Sequence, residues 1–358
     1  MTRDEKGPVR VVVVGCGGMA NTWVRLAVAH PRIAVVGLVD MRRAAAEGMA
    51  ERHGLPGSVV FGSLSEAVSA GGVGGVEAVF DVTVPAAHRV VVTEALGLGC
   101  HVLGEKPMAE SAADAAAMVE AQQASGKVYA VTQTRRPLPF AVRSAAVVAG
   151  GVIGSVRSCH SDFFLGARFG GDARDNFRNT MDQPLLKDMA IHTFDNARQI
   201  TGGRPVSVWC ESWNPEGSWY DGDGSAVAVF DMEDGGGRRF KYVYRGSWCS
   251  EGANTSWAGD WRVVGTKGTL ISDGEEVVRA SLVKDPAEDV FIRGLEEVDA
   301  EPAGLALEGH AYLIDEFVRV LRDGAEPMCP AADNYWSVAM VDAAVRSAES
   351  GERVIIEA

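Results

Sequence analysis

The first third of the chain alternates short apolar runs with longer stretches of helical spacing. Val9 to Val14 is β-branched throughout apart from Arg10, as a strand covered on both faces would be. Met19 to Ala29 then places Trp23, Leu26 and Val28 at helical spacing. Ile33 to Val39 predicts a second strand and Arg42 to His53 a second helix. Further strands are expected at Val59–Phe61, Ala78–Val84, His101–Leu103 and Val128–Thr132, with helices at Ala87–Leu96 and Ser111–Ala124. Strand and helix in alternation give parallel βαβ units and a doubly wound sheet.

Beyond Thr134 the pattern changes. Pro137 and Pro139 mark a connection, and the apolar positions begin to alternate with polar ones. Strands are expected at Val156–Phe164, Val206–Ser212, Ala226–Asp231, Phe240–Gly246, Trp261–Val264 and Thr269–Ile271. Glycine turns such as Asp234-Gly235-Gly236-Gly237 and Thr266-Lys267-Gly268 suit antiparallel pairs. A helix from about Pro184 to Ile200, with Asp182 placed to cap it, interrupts these strands. Two more, near His310–Arg322 and Asn334–Ser350, follow them. The expected architecture is α/β: a Rossmann-type dinucleotide-binding domain over residues 1–133, then an α+β domain over residues 134–358 with an open, mostly antiparallel sheet.

At 358 residues, two domains are the natural division. A formal charge of -14, with no basic run longer than pairs such as Arg42-Arg43, argues against a nucleic-acid partner. The six cysteines are scattered without a Cys-x-x-Cys pair, so they read as reduced apolar residues and no metal site is indicated. No signal-like start and no apolar run of about 18 residues is present, so no membrane association and a cytoplasmic address are expected.

Gly15-Cys16-Gly17-Gly18-Met19-Ala20 follows the first strand and opens a helix, in the pattern G-x-G-x-x-A. Gly15 allows a sharp turn, Gly17 and Gly18 leave backbone bare for a pyrophosphate, and Ala20 lets the helix from Met19 pack closely on the strand. The helix N-terminus offers N–H groups to phosphate charge. Asp40 ends the second strand, where a carboxylate would accept hydrogen bonds from the adenosine ribose. That acid favours NAD, while Arg42 and Arg43 just beyond it keep NADP open.

Thr83-Val84-Pro85-Ala86-Ala87-His88 and Glu105-Lys106-Pro107, together with the glycine loop, resemble motifs of the glucose–fructose oxidoreductase / inositol dehydrogenase / rhizopine-catabolism (Gfo/Idh/MocA) family. Gln133-Thr134-Arg135-Arg136-Pro137, Gly151–Val156, Leu186–Asp195 and Gly265–Leu270 extend the likeness over nearly the whole chain in order. The resemblance implies hydride exchange with sugars, cyclitols or related polyols, and assembly as homodimers or homotetramers. It matches Lys106 to the catalytic lysine, and Asp188 and His192 to the acid and histidine of the active site. It also places Thr83, Pro85, His88, Glu105, Lys106 and Gln133 among the cofactor-binding residues. One departure concerns Asp182-Gln183-Pro184-Leu185-Leu186, where many members are rich in glycine just before the acid.

Four residues apart on a helix, Asp188 and His192 would share a face. A histidine there can take a hydroxyl proton while a carboxylate steadies it, and a lysine ammonium can stabilise alkoxide charge. Each also has a bland explanation: His192 as a core histidine, Asp188 paired with Lys187, Lys106 as a solvated charge. Asp195, one turn on, is expected to brace the helix. Trp257 and Arg178 are weaker substrate-binding candidates, since aromatic rings cover sugar C–H faces but Trp-rich sheets more often build core or subunit interface. Two other functions stay open: an NAD-dependent glycosidase that oxidises its sugar transiently, and a non-catalytic NAD-sensing regulator.

Overall fold

A computed structural model describes residues 7–71, 75–168 and 176–357. The chain divides into two units: Met1–Thr134 with Ala306–Val338, and Arg135–Leu305 with Ala339–Ala358. The boundary near residue 134 matches the change of pattern. A single cut there is corrected by the return of residues 306–338 to the first unit.

The first unit runs β1 (Val9–Val14), α1 (Ala20–Ala29), β2 (Ile33–Val39), α2 (Arg43–Arg52), β3 (Val60–Phe61), α3 (Leu64–Ser69), β4 (Ala78–Asp81), α4 (Pro85–Gly97), β5 (His101–Gly104), α5 (Ala112–Ser125) and β6 (Tyr129–Val131). Its strands are all parallel, in the order β3-β2-β1-β4-β5-β6. This is the doubly wound order, in which ligands lie beyond the carboxyl ends of the central strands. Val9, Val11, Val12 and Val13 are fully buried, as the β-branched run requires. Pro85 starts α4 two residues earlier than the apolar spacing indicates, because proline's fixed φ suits a first helical turn.

In the second unit the chain continues with α6 (Pro139–Ala149), β7 (Val156–Phe164), a π-helical turn over Leu185–Ala190, α7 (Ile191–Thr201), β8 (Arg204–Trp213), β9 (Ser225–Glu233), β10 (Arg239–Ser247), β11 (Asp260–Gly265), β12 (Gly268–Ser272), β13 (Val278–Val283) and β14 (Leu295–Asp299). Then come α8 (Gly309–Asp323), α9 (Ala331–Ser350) and β15 (Val354–Ile355). The sheet order is β14-β13-β12-β11-β7-β10-β9-β8-β15. Its pairs are antiparallel except β7 with β10. One face is covered by α7, whose Phe194 meets Phe230 edge-on at 4.8 Å and Tyr244 at 5.2 Å.

Helix α8 belongs to the first unit. Its Ile314, Phe317 and Val318 join the core formed by β1, α1 and β4, with Phe317 6.1 Å from Phe80.

Candidate functional site

The glycine loop is shaped by what surrounds it. Gly15 has φ 90, and a Cβ there would lie 2.5 Å from the carbonyl oxygen of Val82. Any other residue would push the β4–α4 loop away. A Cβ at Gly17 or Gly18 would meet nothing within 4 Å, and both residues are exposed. Bare backbone thus faces open space at the start of α1, whose N-cap Met19 makes no side-chain capping bond. Such a surface suits a pyrophosphate.

Asp40 is tied to this loop. One carboxylate oxygen accepts the Cys16 N–H at 2.8 Å and the other accepts the Arg42 N–H at 2.8 Å. The Arg42 guanidinium stays mostly exposed, 3.8 Å from the same carboxylate. Cys16 itself is no nucleophile: burial, with the nearby Asp40 charge, pushes its thiol up to about 12.

Thr83 and His88 are both tied to the buried Asp81. Asp81, fully buried at the end of β4, accepts the Thr83 hydroxyl at 2.6 Å and the Thr83 N–H at 3.1 Å. Its second oxygen lies 2.7 Å from Nδ1 of His88, whose ring is 1% exposed. A buried carboxylate demands such partners, so His88 sits beneath the loop rather than on its binding surface. Pro85 occupies the first turn of α4 above it.

Glu105 and Lys106 follow β5, and the Lys106-Pro107 peptide is cis. The Glu105 carboxylate is buried and accepts three bonds: from Trp23 Nε1 at 2.8 Å, His310 Nε2 at 2.7 Å and the Lys106 N–H at 3.0 Å. Burial alone would raise its pKa, but the hydrogen bond and charge of His310, with the Trp23 and Lys106 bonds, outweigh that and hold it below the usual range. Gln133, just past β6, is fully buried, yet neither its amide oxygen nor its nitrogen has a partner in the protein. Buried amides are normally paired, so this one fits a bond supplied by a bound molecule such as the nicotinamide cofactor.

In the second unit, Asp188 lies in the π-helical turn and His192 at the second position of α7, both buried. The expected uninterrupted helix is therefore corrected, and so is its cap. Pro184 occupies the N-cap without a side-chain bond, while Asp182 accepts from Lys187 Nζ at 2.8 Å. Asp188 pairs instead with Arg178, whose Nε lies 2.5 Å from its Oδ2. The Arg178 guanidinium also rests 4.5 Å over the ring of Phe177. Asp195 forms a buried two-pronged ion pair with Arg136, at 2.6 and 2.7 Å. Trp257 is 54% exposed in the loop before β11.

Two residues escaped the sequence reading. Arg135 is buried, with its guanidinium 5.6 Å over the Phe163 ring and one terminal nitrogen unpartnered. Burial lowers its pKa to about 10, against the opposing pull of Tyr244 and Asp188. Tyr220 is the other. Burial pushes its hydroxyl up to about 12, and both Arg178 and Asp188 act on it electrostatically. The Gln133–Pro137 motif held the signal for Arg135, but an arginine in a connection reads as a surface residue until its surroundings are known.

Residues 9–133 match the model of the oxidoreductase family with an NAD-binding Rossmann fold, and residues 142–271 match the Gfo/Idh/MocA C-terminal domain. The chain belongs to the Gfo/Idh/MocA family. Its first unit is an NAD-binding Rossmann domain. An uncharacterized protein of Sinorhizobium fredii is 29% identical, over 97% of this chain and 96% of its own length. The 1,5-anhydro-D-fructose reductase of Ensifer adhaerens is 25% identical over 96% and 98%. An Agrobacterium radiobacter oxidoreductase, solved with NAD+, L-tartaric acid and magnesium, superposes with TM-score 0.79 at 20% identity, covering 97% of this chain and 98% of that one. No helix among the described residues is long and apolar enough to cross a membrane.

Proposed function

We propose that the protein is an NAD-dependent dehydrogenase that exchanges hydride with a hydroxyl-bearing carbon of a sugar, cyclitol or glycoside. The observation that carries the reading is the burial of Asp188, ion-paired to Arg178, and of His192 four residues on, in a chain whose other unit binds NAD. The sugar substrate of the Ensifer adhaerens reductase supports the substrate class.

The glycine loop, Asp40, Arg42, Glu105 and Gln133 would hold the cofactor, which supplies the hydride acceptor when bound. In oxidation, His192 takes the hydroxyl proton as the carbonyl forms, and Asp188 steadies the resulting imidazolium. Lys106 acts in the same reaction by stabilising the alkoxide with its ammonium. Arg178, with one face on Phe177 and one edge on Asp188, would bond a substrate oxygen.

A panel of sugars, cyclitols and glycosides, followed by NADH absorbance, tests this. NADH formation with one of them is the expected result. Release of a glycosidic leaving group without NADH build-up would replace it with transient oxidation, and dinucleotide binding without turnover would point to a sensor.

A further inference from the structure

The Glu105 carboxylate joins three parts of the first unit. One of its oxygens takes the indole N–H of Trp23, on the helix that follows the glycine loop, and Nε2 of His310, at the start of α8. The other takes the backbone N–H of Lys106. The Trp23 and His310 rings also meet edge-on, with centroids 5.8 Å apart. His310 is thus held by packing as well as by its bond. It lies 204 positions beyond Lys106 in sequence, and no motif announces it.

We propose that His310 is a positioning residue: by donating to Glu105 it fixes the carboxylate that anchors the main chain at Lys106. A carboxylate with one donor fewer on that oxygen can rotate, and rotation releases the Lys106 N–H held by its other oxygen. The lysine side chain then starts from a looser main chain. Preorganised groups lose effectiveness when displaced by a fraction of an ångström to about an ångström. The inference rests on the reading that Lys106 takes part in hydride exchange, but its test needs no substrate.

Two variants separate bonding from packing. His310→Phe keeps a ring against Trp23 and removes the donor, whereas His310→Gln keeps a donor at similar reach. The readout is the rate of Lys106 acetylation by acetic anhydride, followed by peptide mass spectrometry and normalised to the exposed Lys267. Amine reactivity follows local environment, so His310→Phe should change the ratio by about threefold or more and His310→Gln should restore it. An unchanged ratio in folded His310→Phe would overturn the proposal. So would equal changes in both variants, which would leave only a packing role. Should His310→Phe fail to fold, His310→Asn, which shortens the donor's reach, is judged by the same two outcomes. NADH binding to the wild-type protein is measured in parallel; its absence would defeat the dehydrogenase reading while the His310 result stands.

Discussion

Asp40 bonds the main chain of Cys16 at 2.8 Å, so the acid that ends the second strand also holds the glycine loop in shape. As a candidate ribose ligand it would also bear on the choice between NAD and NADP. Here it does structural duty for the loop as well.

Two effects of replacing Asp40 should therefore separate. Wild-type protein should bind NAD(H) more tightly than NADP(H), because the carboxylate repels a 2′-phosphate. Asp40→Ser should narrow or reverse that preference while weakening both cofactors, by roughly tenfold for NAD(H) if one charge-assisted bond is lost. Calorimetric titration with both dinucleotides checks this. Unchanged NAD(H) affinity in the variant would exclude the loop-holding role.

Lys106, Asp188 and His192 should fail together. His192→Ala is expected to lower turnover on an identified substrate by on the order of a hundredfold, with NAD binding nearly intact. Lys106→Ala should cost at least as much, and Asp188→Asn should impair the reaction without changing the shape. The double variant of Asp188→Asn with His192→Ala should show a loss well short of the product of the single losses, since groups acting as a unit are not additive. Near wild-type turnover in both Lys106→Ala and His192→Ala would dismiss the assignment.

On the helix that carries His192, Asp195 forms an ion pair with Arg136, with both side chains buried. Removing one member leaves an uncompensated charge in the interior, so Asp195→Ala should destabilise the protein by about 3–5 kcal/mol. Replacing both by apolar residues of similar volume should recover much of that loss. Urea unfolding of the single and double variants supplies the comparison.

Glu105 predicts a particular acid sensitivity. Its folded-state pKa lies below the ordinary 4.5, so the unfolded chain binds the proton more readily. The stabilisation is fully present above about pH 4.5 and is lost as pH falls through the folded value. Glu105→Gln should therefore unfold at lower urea than wild type near pH 6, with the gap closing on acidification below about pH 4.5. A gap independent of pH would mean that packing, not charge, carries the effect.

Assembly through the second sheet is a further expectation. The face away from α7 shows half-buried Val227, Val229 and Val243 among ion pairs such as Arg245 with Asp162, a mixture suited to a subunit contact. Light scattering at micromolar protein should give a multiple of 37.9 kDa. A monomer mass would refute it.

The parallel sheet was legible because β1, β2 and β4 are dense in β-branched and apolar residues, and the glycine loop names the turn between the first strand and helix. Val28 misled the helical reading: it is 45% exposed, and Val24 and Ala27 are buried instead. Helix α6 was hidden by Pro139, taken as a connection although proline suits the first helical turn. Strand β14, Leu-Glu-Glu-Val-Asp, is exposed throughout and lies at a sheet edge, where charge replaces apolar alternation. Within the site, residue identities near motifs were readable, but their partners were not. Glu105 with His310 depends on side chains brought together from distant segments, and Arg178 with Asp188 on how the ten residues between them fold.

The return of residues 306–338 has a consequence for how the protein is made. Trp23, Phe80 and the strands around them complete their core only with Ile314, Phe317 and Val318. A ribosome that has released the first 134 residues has therefore delivered a nucleotide-binding sheet with one apolar flank still uncovered. Nascent domains ordinarily close in order from the N-terminus. Here the second unit's strands β7 to β14 are all synthesised before the segment that seals the first. Residues 1–134 expressed alone should therefore lack part of their core.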